Sequence, residues 1–233
     1  MALRTWSEAE LNEAAASLEG KGPEATLAWA FEHFGQEEIA LACSFGSEDV
    51  ALVDMVSKLR PSARVFYLDT NVLFPETYEL IDQVKAKYDV RLEQFLPLLT
   101  LEEQAAQRGD ALWTSDPDAC CGIRKVEPLK RALGTMQAWI TGIRRDQAPT
   151  RANAKMVEWD AKFGLVKFNP LAAWTDKDVW NYILANGVPY NPLHDQGYPS
   201  IGCTHCTRAV KPGEDPRAGR WSGFQKTECG LHK

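Results

Sequence analysis

The strongest constraint on this chain is its alternation of short apolar runs with longer amphipathic ones. Ile39 to Cys43 is apolar and ends in Ser44-Phe45-Gly46-Ser47, after which Val50, Leu52, Val53, Val56 and Leu59 recur at helical spacing. Arg64 to Leu68 repeats the pattern, ending at Asp69-Thr70 before a helix opened by Pro75 and carrying Tyr78, Leu80, Ile81 and Val84. Val90 to Phe95 is a third run of the same kind. Short apolar runs bounded by turn residues suit strands, and the 3.6-residue repeats between them suit helices. Strands joined by helices run parallel, through right-handed crossovers, in a sheet covered on both faces. Ligands bind such sheets beyond the carboxyl ends of the strands. Those ends are Ser44–Ser47, Asp69–Asn71 and Gly142–Arg145, the last following a strand from Gln137 to Thr141.

The flanks fit this α/β class. Ser7 and Glu10 form a capping box for a helix reaching about Leu18, and Pro23 opens a second helix to about Phe34. The double cysteine Cys120-Cys121 starts a helix running to about Leu133. Lys155–Trp159 and Leu165–Phe168 read as two more strands, and Thr175-Asp-Lys-Asp178 caps a late helix through Leu184. From Gly187 onward glycine and proline dominate. The last twenty or so residues lack apolar periodicity, which predicts a mobile arm. The expected division is therefore an α/β domain over 1–210 and an arm over 211–233.

With 45% hydrophobic residues the 233-residue chain can bury a full core. No basic start leads into an apolar stretch, and no apolar run spans a bilayer, so a cytoplasmic protein without a membrane partner is expected. The net charge of −6 argues against nucleic acid, but the charge is uneven. Arg124 to Arg151 holds seven Lys/Arg against two Asp/Glu, and Cys203 to Lys233 holds six against three. Two cationic islands in an acidic chain suit a localised anionic ligand, although solvated faces balanced by neighbours have the same composition.

Six cysteines are present: Cys43, Cys120, Cys121, Cys203, Cys206 and Cys229. In a reducing compartment, two close pairs and two singletons suit metal ligation and catalysis rather than disulfides. Four thiolates from Cys120-Cys121 and Cys203-Thr-His-Cys206 can hold zinc or an iron–sulfur cluster. Adjacent cysteines ligate a single ion awkwardly, whereas a cubane offers them separate irons, which favours iron–sulfur. Cys229, in the tail run Glu228-Cys-Gly-Leu-His232, is a candidate nucleophile. An exposed cysteine without a role fits the local sequence equally. Cys43, within an apolar strand, reads as a small core residue, and His205 as solvent-facing. Ser44 to Ser47 between strand and helix is a reasonable anion cradle. No Walker A pattern and no G-x-G-x-x-G accompany it. Arg217 and Arg220, with Lys125 and Arg151, suit a phosphate–sulfate anhydride, whose oxyanions match guanidinium forks.

These runs, from about Ile39 to His232, resemble the phosphoadenylyl-sulfate reductase family. The resemblance is carried by Ser44-Phe-Gly-Ser47, Leu68-Asp-Thr70, Pro75-Glu-Thr-Tyr78 and Cys120-Cys-Gly-Ile-Arg-Lys125. It extends through Gly142-Ile-Arg-Arg-Asp-Gln147, Cys203-Thr-His-Cys206, Arg217, Arg220 and Lys226-Thr-Glu-Cys-Gly-Leu-His232. It implies an adenine nucleotide α-hydrolase-like fold, mostly parallel, and a [4Fe-4S] cluster on Cys120, Cys121, Cys203 and Cys206. It also implies that Cys229 attacks the sulfur of adenosine 5′-phosphosulfate, with His232 assisting and thioredoxin or a similar dithiol as reductant. Substrate contacts are expected from Ser44, Phe45, Gly46, Ser47, Leu68, Asp69, Lys125, Gly142, Arg151, Arg217 and Arg220. A homo-oligomer is compatible with all of this. Ser44-Phe-Gly-Ser47 departs from the Ser-Gly-Gly-x-Asp-Ser run of related ATP pyrophosphatases, and Asn71 stands where many relatives carry glycine. The rival readings are a 3′-phosphorylated substrate, an ATP pyrophosphatase or nucleotidyl transferase, and a non-catalytic iron–sulfur or zinc sensor.

Overall fold

The computed structural model describes residues 6–226 and 228–231. Six strands form one sheet: β1 (Ile39–Ala42), β2 (Ala63–Leu68), β3 (Val90–Phe95), β4 (Ala138–Ile140), β5 (Val157–Asp160) and β6 (Leu165–Phe168). Their spatial order is β3-β2-β1-β4-β6-β5. All neighbours pair in parallel except β5, which runs antiparallel along β6 at the edge. The parallel sheet expected from the alternation thus ends in a hairpin. Its turn passes through Gly164 at φ +72°, and four residues are too few for a helical crossover.

Strand residues alternate between two apolar clusters, as the two-residue pleat requires. Ile39, Leu41, Val65, Tyr67, Ile140, Val166 and Phe168 face one cluster. It is completed by α1 (Glu8–Leu18), α2 (Pro23–His33), α3 (Ser47–Leu59), α4 (Pro75–Lys87) and α9 (Asp176–Asn186). Ala40, Phe66, Trp139 and Leu165 face the other, covered by Leu129, Ala132 and Leu133 of α8 (Glu127–Leu133). Capping boxes at Ser7 and Thr175 start α1 and α9 where the sequence places them. Between β3 and β4 lie α5 (Leu101–Arg108), α6 (Leu112–Ser115) and α7 (Pro117–Cys121). The double cysteine lies in the first turns of a helical run from Pro117 to Leu133, as expected, and a π-turn over Gly122–Val126 within it joins α7 to α8. Among the described residues no helix is long and apolar enough to cross a membrane.

The described part of the arm, expected to be free, lies against the domain. Trp221 is 3% exposed, Glu228 is 4% exposed, and Leu231 packs on the cluster beneath α8. Its anchors are a few irregularly spaced apolar residues and buried ion pairs, which leave no periodic signal.

Candidate functional site

The order β2-β1-β4 makes β1/β4 the point where successive connections diverge, the place where sheets of this kind form a ligand crevice beyond the strand ends. Ser44-Phe45-Gly46 leaves β1 with Phe45 at φ +61°, a conformation that costs a side chain strain. Phe45 holds it by burying its ring edge-on against Tyr67, with centroids 5.5 Å apart. Helix α3 then begins without a side-chain cap, so its first amides face the crevice. Gly142, at the end of β4, comes so near this turn that a Cβ would sit 2.3 Å from Asp49 Oδ1 and 2.9 Å from Glu48 Cβ. At the end of β2, Asp69 accepts hydrogen bonds from Tyr78 Oη (2.8 Å), Gln94 Nε2 (2.7 Å) and the Asn71 amide (2.8 Å). Asn71 occupies φ +61°, which asparagine tolerates better than most residues in place of glycine. Leu68 precedes this turn at the end of β2.

Beneath the α3 turn, Asp49 Oδ2 accepts from both the amide and the hydroxyl of Ser44 at 2.6 Å. Burial outweighs these bonds and, with the nearby Glu48 charge, pushes the Asp49 carboxyl from an ordinary 3.8 up to about 6. The folded chain therefore keeps a proton between about pH 4 and 6 that the unfolded chain has lost. This group's stabilising contribution is complete below the unfolded pKa and declines as pH rises through 6. Asp49→Asn is expected to flatten that decline, recovering about 3 kcal/mol at pH 7 relative to pH 4. Denaturant midpoints of both proteins across that range measure it, and parallel curves would refute it.

A polar chain leaves the turn. Arg144, 5% exposed, donates from Nε to Glu48 Oε1 at 3.0 Å and pairs with Asp146 and Asp176. Gln147 donates to the same Glu48 oxygen at 2.7 Å and accepts from Arg151 Nη1 at 2.5 Å. Burial alone would raise Glu48, but Arg144 and Gln147 hold its carboxyl below the usual range. Arg151 in turn forks onto Glu228, from Nε to Oε1 at 3.0 Å and from Nη2 to Oε2 at 2.9 Å. Arg217 Nη2 reaches Oε2 at 3.3 Å, and Thr150 Oγ1 reaches Oε1 at 3.3 Å. Burial would raise Glu228 as well; Arg151 and then Arg217 reverse the sign.

The cysteine pairs converge beside this chain. Cys203 bridges Leu73 in antiparallel pairing, the Thr204 amide donates to Val72 O at 2.9 Å, and the Trp221 amide donates to Cys206 O at 3.1 Å. These bonds tie the C-x-x-C loop to the segment that follows β2 and to Trp221 of the arm. Cys120, Cys121, Cys203 and Cys206 line one small cavity with Arg124 and Lys125. All six thiols are free. Burial, then the neighbouring thiols, raises Cys120 and Cys206, the latter to about 11; burial also raises Cys121. No three His, Cys, Asp or Glu side chains among the described residues converge on a single metal-ion position. Arg124 is 1% exposed, and its Nε and Nη2 have no acceptor; neither does Nε1 of Trp221. Cys229 is half-buried and within electrostatic range of Cys121, Lys125 and Arg217.

The candidates from the sequence are thus gathered unequally. The four cysteines and Lys125 share one cavity, and Arg151 and Arg217 meet at Glu228. Arg220 is within electrostatic range of Lys125 and Arg217, donates to Ser200 Oγ at 3.1 Å and packs over Gly202. Cys43 is buried, and His205 is exposed and stacked on Trp113 at 4.1 Å. His232 falls outside the described residues. Sequence reasoning missed Glu48, Arg144, Gln147 and Glu228, although three of the four lie in runs singled out above.

A parallel sheet with an uncapped helix at its switch point and a thiol-lined cavity alongside defines an α/β protein of the adenine nucleotide α-hydrolase-like class. Residues 38–209 match the phosphoadenosine phosphosulfate reductase domain, and the chain belongs to that family. It is 49% identical over 229 residues to an adenosine 5′-phosphosulfate reductase of Lysinibacillus sphaericus, covering 98% of this chain and 97% of that one. A phosphoadenosine 5′-phosphosulfate reductase of Gloeobacter violaceus is 50% identical, covering 95% and 93%. Among solved structures, the phosphoadenylyl-sulfate reductase of Candida auris in its phosphate complex superposes with a TM-score of 0.78. It is 34% identical and covers 89% of this chain and 99% of that one.

Proposed function

We propose that this protein reduces adenosine 5′-phosphosulfate to sulfite and AMP in sulfate assimilation, ahead of cysteine biosynthesis in the cytoplasm. The observation that carries the proposal is the convergence of Cys229, Lys125, Arg151 and Arg217 beside the four-cysteine cavity. The adenosine lies along the strand ends at Ser44–Ser47, Leu68–Asp69 and Gly142, as the switch-point crevice favours. Lys125, Arg151, Arg217 and, from the rim, Arg220 offset the charge of the phosphosulfate. The Cys229 thiolate attacks the sulfate sulfur. A bond forms between Cys229 Sγ and sulfur, the bond from sulfur to the bridging oxygen breaks, and AMP leaves with that electron pair. Thioredoxin or a similar dithiol then attacks Cys229 Sγ, releasing sulfite, and its second thiol resolves the mixed disulfide. His232 assists Cys229 or the substrate.

Cys120, Cys121, Cys203 and Cys206 would hold a [4Fe-4S] cluster. The donors fit it: a cubane takes one thiolate per iron, so its ligands need not converge on one point. The orphaned N–H groups of Arg124 and Trp221 suit an anionic, sulfide-rich occupant of the cavity. When bound, the cluster orders the C-x-x-C loop and supplies a local field beside the substrate. A second reading, use of the 3′-phosphorylated nucleotide, is favoured by the name of the Gloeobacter relative. Anaerobic turnover with both nucleotides and a dithiol tests the proposal: sulfite and AMP are expected from adenosine 5′-phosphosulfate. Release of pyrophosphate from ATP, or turnover of the 3′-phosphorylated substrate alone, would overturn it.

A further inference from the structure

We infer that Glu228 is a positioning residue whose carboxylate occupies the subsite of the substrate's sulfo group, and that the incoming sulfo group displaces it. The inference rests on the proposed function and adds to it an internal competitor for the same donors.

Glu228 is almost fully buried, yet its partners are those expected of an oxyanion ligand. Two guanidinium groups and one hydroxyl converge on its two oxygens, with Arg151 bidentate. A tetrahedral sulfo group presents three oxygens to the same donors and accepts the same fork. Arg151 does not depend on Glu228 alone for its place. Arg151 Nη1 is held by Gln147, which is itself tied to Glu48 and Arg144, so Nε and Nη2 remain directed at the subsite when the carboxylate leaves. The exchange is local, because Glu228 and Cys229 are consecutive. An oxyanion that takes the carboxylate's place arrives beside the thiol that attacks it. It also removes the ion pairs that hold this part of the arm down, so substrate binding and release of Cys229 are one event. In the substrate-free protein the carboxylate pairs with both partly buried guanidinium groups.

The test uses the Cys229→Ser protein, which binds substrate without turning it over. Glu228→Gln in that background is expected to bind adenosine 5′-phosphosulfate about tenfold more tightly, because a charged competitor is removed. Affinity for AMP, which lacks the sulfo group, is expected to change less than about twofold. Glu228→Asp keeps the charge and is expected to bind like its parent. Equal or weaker binding in Glu228→Gln would overturn the inference, as would an equal gain for AMP or the same gain in Glu228→Asp. Failure of the Cys229→Ser protein to bind adenosine 5′-phosphosulfate at all would overturn the proposed function, and the inference with it.

Discussion

Cys229→Ser is expected to lower sulfite formation on the order of 10⁴-fold or more, the scale seen when a nucleophile is removed. In the native protein incubated with adenosine 5′-phosphosulfate and no reductant, an SO₃ adduct is expected on Cys229 alone. The distribution of the six thiols is the reason. Four line one cavity, and Cys43 is 4% exposed with its thiol pushed well up by burial, so no accessible thiolate remains to resolve the adduct. The adduct should therefore persist until an external dithiol is added. Peptide mass spectrometry locates it. Spontaneous release of sulfite with a new intramolecular disulfide, or an adduct on Cys43, would defeat the assignment.

If the proposed [4Fe-4S] cluster is present, single serine substitutions at Cys120, Cys121, Cys203 or Cys206 are expected to abolish its chromophore, because each thiolate would hold its own iron. Iron and acid-labile sulfide, measured after anaerobic preparation, should appear in equal amounts in the native protein and be lost in each variant. Activity is expected to fall with them, and Cys203 and Cys206 also carry the loop that packs Trp221 and the start of the arm. Stoichiometric zinc without sulfide in the native protein would sink this prediction.

Much of the fold was legible because its signals are local. Strands β1, β2 and β3 are continuous apolar or mixed runs between turns, and the boxes at Ser7 and Thr175 lie within four residues. The direction of β5 was not, since Val157–Asp160 reads the same in either orientation and only the short turn through Gly164 decides it. Helix α5 was missed despite its own capping box at Thr100, because it buries little beyond Gln104 and shows no apolar face. In the site, the cysteine spacing identified the cavity, whereas Glu228, although inside a run singled out, carried no sign of its partners. Its main partner, Arg151, is 77 positions away, and an ion pair over that distance has no period.

The π-turn over Gly122–Val126 acts as a phase joint. One residue more than an α-turn requires is taken up there, between Cys121 and the start of α8. A single residue advances a helix by about 100°, so this surplus separates the facing of the cysteines from the facing of Leu129, Ala132 and Leu133. Upstream of the joint the side chains line a polar, thiol-rich cavity; downstream they seal the apolar underside of the sheet. A one-residue deletion here would let the segment relax into a regular α-helix, and the cavity and the core could no longer both be served by the same stretch of chain. Length in this turn is therefore under tighter constraint than the identity of any residue in it except Arg124 and Lys125.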